Sequence, residues 1–88
     1  MKLWLKKEKV VLFEYMLAKR IKELRLSRNM TIEEVANRTG FTKGFVSKIE
    51  NNKVSPPIAT LLKLSEALDV HIRYFFHEED IKGSHYSN

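Results

Sequence analysis

The residues of this chain that could do chemistry form a row at helical spacing near the middle of the sequence. Lys43, Ser47 and Asn51 recur at intervals of four, so a helix would place them on one face, with Gly44 and Lys48 alongside. Lysine can donate to phosphate or to guanine, while serine and asparagine can hydrogen-bond to base edges or to phosphate oxygens. The row therefore favours a surface that binds a nucleic acid through hydrogen bonds.

The segments on either side of this row carry signals that begin and end helices. Thr31 and Glu34 match a capping box, and Gly40 suits the end of a short helix because glycine tolerates positive φ. Thr42 then offers a second N-cap. Two short helices joined by a tight turn form a helix-turn-helix unit, whose second helix can lie in the DNA major groove. Pairs of this shape also occur in bundles that bind no DNA, so the pattern alone leaves both interpretations open.

Two residues in the second helix of this pair bear on whether the pair binds DNA. Gly44 costs a helix interior about 1 kcal/mol relative to alanine, which is easiest to understand if the backbone must approach a ligand closely. Phe45 either packs beside Ile49 or stays exposed and contacts a thymine methyl group.

The hydrophobic pattern predicts an all-α, compact bundle of five helices. Leu17 and Ile21 recur at helical spacing in the first helix, and Ile58 and Leu62 belong to the broad apolar face of the fourth. Pro57 can be the first residue of that helix, because its missing N–H is not needed there. The predicted helices cover residues 14–28, 32–39, 43–51, 57–68 and 72–77. The helix-turn-helix domain would span residues 14–77, after a basic and apolar extension at 1–13 and before a polar tail at 78–88.

Charge is distributed unevenly along the 88 residues, whose formal net charge is +5. Residues 1–28 carry nine Lys or Arg against three acids, a net of +6; residues 29–68 carry five against four, +1; residues 69–88 carry two against four, −2. A basic first third and an acidic tail suit a protein that binds a polyanion. A solvated basic helix would give the same distribution, and so would a basic N-terminus at a membrane surface.

Enzyme, metal and membrane classes find little support in the sequence. There is no cysteine, and the three histidines have no partners at metal-ligand spacing. No nucleophile–base pair, carboxylate dyad or glycine-rich phosphate loop is present. No apolar run approaches the roughly 20 residues of a membrane span, and the N-terminus does not read as a signal peptide. We expect no catalysis, no cofactor, no metal and no membrane partner.

Several segments together resemble the phage-repressor-like (Cro/repressor, or XRE-type) helix-turn-helix family, in particular the variety often fused to a cupin domain. They lie in the right order and spacing over about two thirds of the chain. The segments are KRIKELR (19–25), TIEEVANRTG (31–40), SKIENN (47–52), Pro56 and LLKLSEALDV (61–70). The resemblance implies a lambda-repressor-like fold. Asn52, where the family usually has glycine, and Pro57, where it has a small capping residue, depart from the pattern.

The resemblance also implies roles for individual residues. Arg25 and Glu50 match a buried ion pair that ties the first helix to the third. Phosphate binding is implied for the start of the second helix and for the loop after the third, and base reading for the outer face of the third helix. The expected DNA-binding residues are Thr31, Ile32, Thr42, Lys43, Gly44, Phe45, Ser47, Lys48, Asn51 and Lys53.

We therefore expect a transcriptional regulator that binds double-stranded DNA sequence-specifically through the helix at 43–51. We further expect it to be a repressor, to act as a homodimer, and to be a cytoplasmic, nucleoid-associated protein of a prokaryote or phage. The alternative is an antitoxin-like or coactivator-like helix-turn-helix module whose main partner is a protein.

Overall fold

Four α-helices and one 3₁₀ segment make up the part of the chain that the computed structural model describes, residues 2–76, with side chains described from residue 8 onward. No strand occurs in that part, which confirms the all-α prediction. None of its helices is long and apolar enough to cross a membrane. The elements in chain order are α1 (Lys2–Ser27), α2 (Ile32–Thr39), α3 (Lys43–Glu50), α4 (Ile58–Leu68) and the 3₁₀ segment (Ile72–Phe76).

Some predicted helix bounds are wrong. The expected fifth helix at 72–77 is a 3₁₀ segment that ends at Phe76, so the bundle has four α-helices rather than five. The first helix begins at Lys2 instead of residue 14, since no glycine or proline interrupts the chain before it. The helix predicted at 43–51 ends at Glu50. Pro57 is extended, with ψ 165°, and is the N-cap of α4 rather than its first residue.

Other predicted bounds have different outcomes. The structure confirms the helix predicted at 32–39. Residues 2–13 belong to α1, while their separation from the domain stays a prediction. The polar tail predicted at 78–88 lies outside the described residues.

The core lies where the four α-helices and the 3₁₀ segment meet. Its positions repeat every three or four residues in α1, α3 and α4, as an amphipathic helix requires, and α2 adds the adjacent Val35 and Ala36. Ile58 and Leu62 are 59% and 47% exposed, so the apolar face predicted for α4 is only partly buried. The buried cluster consists of Leu17, Ile21, Leu24, Val35, Ala36, Val46, Ile49, Leu61, Leu64, Leu68 and Phe75.

Local hydrogen bonds fix the geometry of the α2–α3 pair. The Thr31 Oγ1 accepts from the backbone N–H of Glu34 at 3.0 Å, and the Glu34 carboxylate accepts from that of Thr31 at 2.9 Å. Gly40 ends α2 with φ 84°, and its N–H donates to the carbonyl of Ala36 at 2.8 Å. Thr42 then caps α3 by accepting from the N–H of Phe45 at 3.1 Å. These contacts turn the chain sharply and set the direction in which α3 leaves.

Candidate nucleic-acid interface

The outer face of α3 presents the predicted row of polar side chains. Lys43, Gly44 and Lys48 are exposed, and Ser47 is half-buried. Asn51, the C-cap of α3, continues the row and donates from Nδ2 to the carbonyl oxygen of Ser47 at 2.9 Å and to its Oγ at 3.3 Å. The side chains of the row therefore stand next to one another on consecutive turns, with their lysines directed into solvent.

A cleft of about 960 Å³, which we call the α2–α3 cleft, separates part of this row from the start of α2. Lys43, Gly44 and Ser47 line one wall, and Thr31 and Ile32 line the other. The structure thus brings five of the ten predicted DNA-binding residues to one surface. Leu26 and Met30, which the sequence did not single out, add apolar area to its floor.

Gly44 has no role that the fold itself requires. A Cβ added to it would meet no atom within 4 Å, and its φ is not in the left-handed region. Alanine would therefore fit within the protein at this position and would favour the helix. The fold therefore gives no reason for glycine at this position.

The other predicted residues hold different positions. The Thr42 hydroxyl is the N-cap of α3 and accepts from the backbone N–H of Phe45. Phe45 is half-buried, packs against the core and meets Phe41 edge-to-face at 5.1 Å between ring centroids. Lys53 lies outside the α2–α3 cleft, in the loop after α3, where its N–H donates to the carbonyl of Lys48 at 2.8 Å. Its exposed side chain lines a second cleft, between α1 and that loop.

Arg25 and Glu50 join α1 to α3 directly behind this surface. The Arg25 Nε donates to one carboxylate oxygen of Glu50 at 2.7 Å, and NH2 donates to the other at 3.0 Å. NH1 donates to the carbonyl of Met30 at 2.8 Å, so the same guanidinium also holds the loop before α2. The hydrogen bond with Glu50 raises the pKa of Arg25 above its ordinary value although burial opposes it. The group therefore stays charged at every pH at which such a protein is ordinarily handled.

Three arginines stabilise the fold through hydrogen bonds to backbone carbonyls. Arg28 Nε donates to the carbonyl of Leu68 at 2.5 Å, and Arg38 donates to that of Ala67 at 3.4 Å, so both satisfy carbonyls at the end of α4. Arg20 is buried and donates to the carbonyl of Phe75 at 3.3 Å. Their partners lie 29 to 55 residues away, so no local pattern could have indicated these contacts. The positive charge on α3 itself comes from its two exposed lysines, Lys43 and Lys48.

The fold and this surface define a helix-turn-helix domain with a polar, lysine-bearing second helix. A family model described as Helix-turn-helix (HTH_3) matches residues 21–75, which is more than half of the chain. The chain belongs to this family, and the resemblance to XRE-type helix-turn-helix proteins is confirmed.

Characterised relatives and solved structures agree with that assignment. The HTH-type transcriptional regulator SinR of Bacillus licheniformis is 35% identical over 66 residues, 74% of this chain and 60% of SinR. The HTH-type transcriptional regulator PuuR of Escherichia coli is 36% identical over 62 residues, 70% of this chain and 34% of PuuR. This chain therefore spans between one third and three fifths of those two relatives.

Two crystal structures share the fold. An HTH_3 family transcriptional regulator from Vibrio cholerae superposes with a TM-score of 0.71 at 36% identity, covering 75% of this chain and 37% of that one. The restriction-modification controller protein C.AhdI from Aeromonas hydrophila gives 0.68 at 26% identity, covering 73% of this chain and 96% of the controller.

Proposed function

We propose that this protein binds double-stranded DNA sequence-specifically and regulates transcription, reading the major groove with α3. One observation carries the proposal: the start of α2 and the outer face of α3 line one open cleft, with Lys43, Gly44 and Ser47 exposed or half-buried along it. In a helix-turn-helix complex these are the two elements that meet the DNA. The family and its relatives, which include transcriptional regulators, support the same conclusion.

Five of the predicted residues have a chemical role in this proposal. Lys43 and Lys48 donate to guanine or to phosphate, and Ser47 hydrogen-bonds to a base edge. The Thr31 hydroxyl accepts from Glu34 and still has its own proton to donate to a phosphate. Ile32 adds the first backbone N–H of α2, where the helix dipole favours an anion.

Selection of bound duplex from a random pool tests the proposal. We expect one sequence family to emerge and to bind about a thousandfold or more tightly than random duplex at physiological salt. If the best selected sequence binds no more tightly than random duplex, the protein is not a sequence-specific regulator.

We further propose that the protein acts as a homodimer and represses by occupying its site. Near the start of α1, Val10, Val11 and Leu12 are each more than half exposed, and exposed apolar side chains that lie close together can mark a contact between proteins. A two-fold dimer would place two α3 helices about one helical turn of DNA apart. A reporter with the selected site overlapping its promoter should lose expression when the protein is present, whereas increased expression would indicate an activator.

The same apolar side chains favour the second candidate, a helix-turn-helix module whose main partner is another protein. In that case the partner would cover these side chains of α1 and extend onto α3, where it would compete with DNA. A complex in which amides of α3 become protected from hydrogen exchange in the absence of DNA would favour this candidate.

The DNA-binding proposal also implies a location, because a regulator must share the cytoplasm with the DNA of its prokaryotic or phage genome.

A further inference from the structure

The cleft between α1 and the loop after α3, which we call the α1–loop cleft, lies beside the row of α3. Its volume is about 710 Å³, and lysines line both of its walls. Lys19 and Lys22 come from α1, and Lys53 comes from the loop. All three are exposed, and within the described residues no hydrogen bond or ion pair engages their ammonium groups.

The charge of the α1–loop cleft is positive. Two carboxylates also line it, Glu23 and Glu50. Glu50 is neutralised by its two hydrogen bonds to Arg25, so Glu23 alone opposes the three lysines. Like charges placed on facing walls repel each other. Such an arrangement is expected where an anion binds.

The α1–loop cleft is continuous with the surface of α3. Asn51, which extends the row of Lys43 and Ser47, lines it, and Leu26 lines both this cleft and the α2–α3 cleft. The loop wall is held to α3 by the hydrogen bond from the Lys53 N–H to the Lys48 carbonyl. A DNA strand bordering the groove occupied by α3 would therefore pass over the α1–loop cleft.

We infer that Lys19 and Lys22 of α1 bind, together with Lys53, the phosphates of the strand that borders this groove. The inference rests on the proposed function and extends its contact surface from the helix-turn-helix unit to α1. It also gives a role to two of the six lysines in the first third of the chain, whose arginines 20, 25 and 28 are engaged in the fold. A basic face of α1 is thereby a second site for the DNA backbone.

The salt dependence of binding separates this site from a general effect of charge. Each phosphate that a lysine neutralises adds about 0.9 to the slope of log affinity against log salt. The variant Lys19→Gln/Lys22→Gln should therefore have a slope shallower by about two than the unchanged protein. Its preference among sequences should not change, because phosphate contacts carry no base information.

A matched control removes two exposed lysines that lie outside the α1–loop cleft, Lys9→Gln/Lys63→Gln. We expect the slope of this control to stay close to that of the unchanged protein. Equal slopes for the two double variants would overturn the inference. Circular dichroism melting of both variants verifies that they fold, and ethylation interference should show fewer contacted phosphates only in Lys19→Gln/Lys22→Gln.

Glu23 provides a test that a folding defect cannot imitate. Glu23→Gln removes the opposing charge from the α1–loop cleft and should tighten binding to every duplex about threefold at low salt. Glu66→Gln, an exposed carboxylate on α4, should change affinity little. Weaker or unchanged binding by Glu23→Gln would contradict the inference. If the unchanged protein binds no duplex preferentially, the proposed function fails. If it does prefer one duplex, but Lys19→Gln/Lys22→Gln and Glu23→Gln bind it as their control variants do, only this inference fails.

Discussion

Gly44 is the residue whose identity the fold explains least and the proposed function explains best. Because an added Cβ meets no atom within 4 Å, Gly44→Ala should raise the free energy of unfolding, by up to about 1 kcal/mol. The same methyl group would stand on the surface that we place against DNA. We expect binding to the selected duplex to weaken at least about tenfold, a loss of roughly 1.4 kcal/mol.

A change that stabilises the protein and impairs binding cannot arise from misfolding. Chemical denaturation and duplex titration of the same samples measure the two effects. Asn37→Ala, at an exposed position of α2, is the matched control, since it should stabilise its helix without weakening binding. If Gly44→Ala binds as tightly as the unchanged protein, no close approach occurs at this residue.

Lys43 and Lys53 should differ in the kind of contact they make. Lys43 lies on the row of α3, whereas Lys53 lies in the loop that lines the α1–loop cleft. Lys43→Ala should reduce discrimination at one base position by about 1–3 kcal/mol, while Lys53→Ala should weaken binding to all sequences alike and lower the salt slope by about one. Titration of single-base variants of the selected duplex distinguishes the two, and a common pattern for both lysines would refute the distinction.

At the scale of elements, the Arg25–Glu50 pair determines how α3 is held. Both side chains are at least nine-tenths buried. Glu50→Ala leaves the Arg25 charge buried without its partner and should cost about 3–5 kcal/mol of stability. Replacing both residues with apolar ones, Arg25→Met/Glu50→Leu, should cost much less, because no buried charge is left unpaired.

Urea denaturation of Arg25→Met, Glu50→Leu and the double variant measures this coupling. Because Arg25 also donates to the Met30 carbonyl, the double variant should loosen the loop before α2 and weaken DNA binding even where stability recovers. Additive losses in the cycle would mean that the two side chains do not act as a pair.

The elements also show what the sequence could and could not predict. The capping box of Thr31 and Glu34 lies within one turn, so residue types alone located α2, and Thr42 located the start of α3. The hydrogen bonds of Arg28 and Arg38 to α4 join residues that are far apart in the sequence. They depend on tertiary packing, and no spacing in the sequence predicts them. The β-branched Val10 and Val11 disfavour a helix, so the sequence predicted that α1 begins at residue 14. Their effect is weak, and the helix extends to Lys2. The row of α3 was predictable from helical spacing, but Lys19 and Lys22 became part of a site only once α1 was placed beside the loop at Lys53.

At the scale of the whole molecule, the exposed start of α1 is what a second copy would cover. Val10, Val11 and Leu12 are 55%, 59% and 56% exposed, and every side chain described before Glu14 is exposed. Phe13, one helical turn after Val10, stacks on Phe76, with ring centroids 5.8 Å apart. The 3₁₀ segment therefore contacts α1 at this point, while Val11 and Leu12 stay more than half exposed.

The resulting prediction concerns oligomeric state and DNA geometry together. Leu12→Lys would place a charge in an apolar interface, so it should convert the dimer into a monomer in sedimentation equilibrium. Binding to a duplex with two half-sites should weaken by at least about a hundredfold, while binding to a single half-site should change little, because the second copy contributes only through linkage. Ile58→Lys, at an equally exposed apolar position on α4, is the matched control. A monomer produced by Ile58→Lys but not by Leu12→Lys would move the interface to α4, and an unchanged protein that sediments as a monomer even on a two-half-site duplex would rule out the dimer.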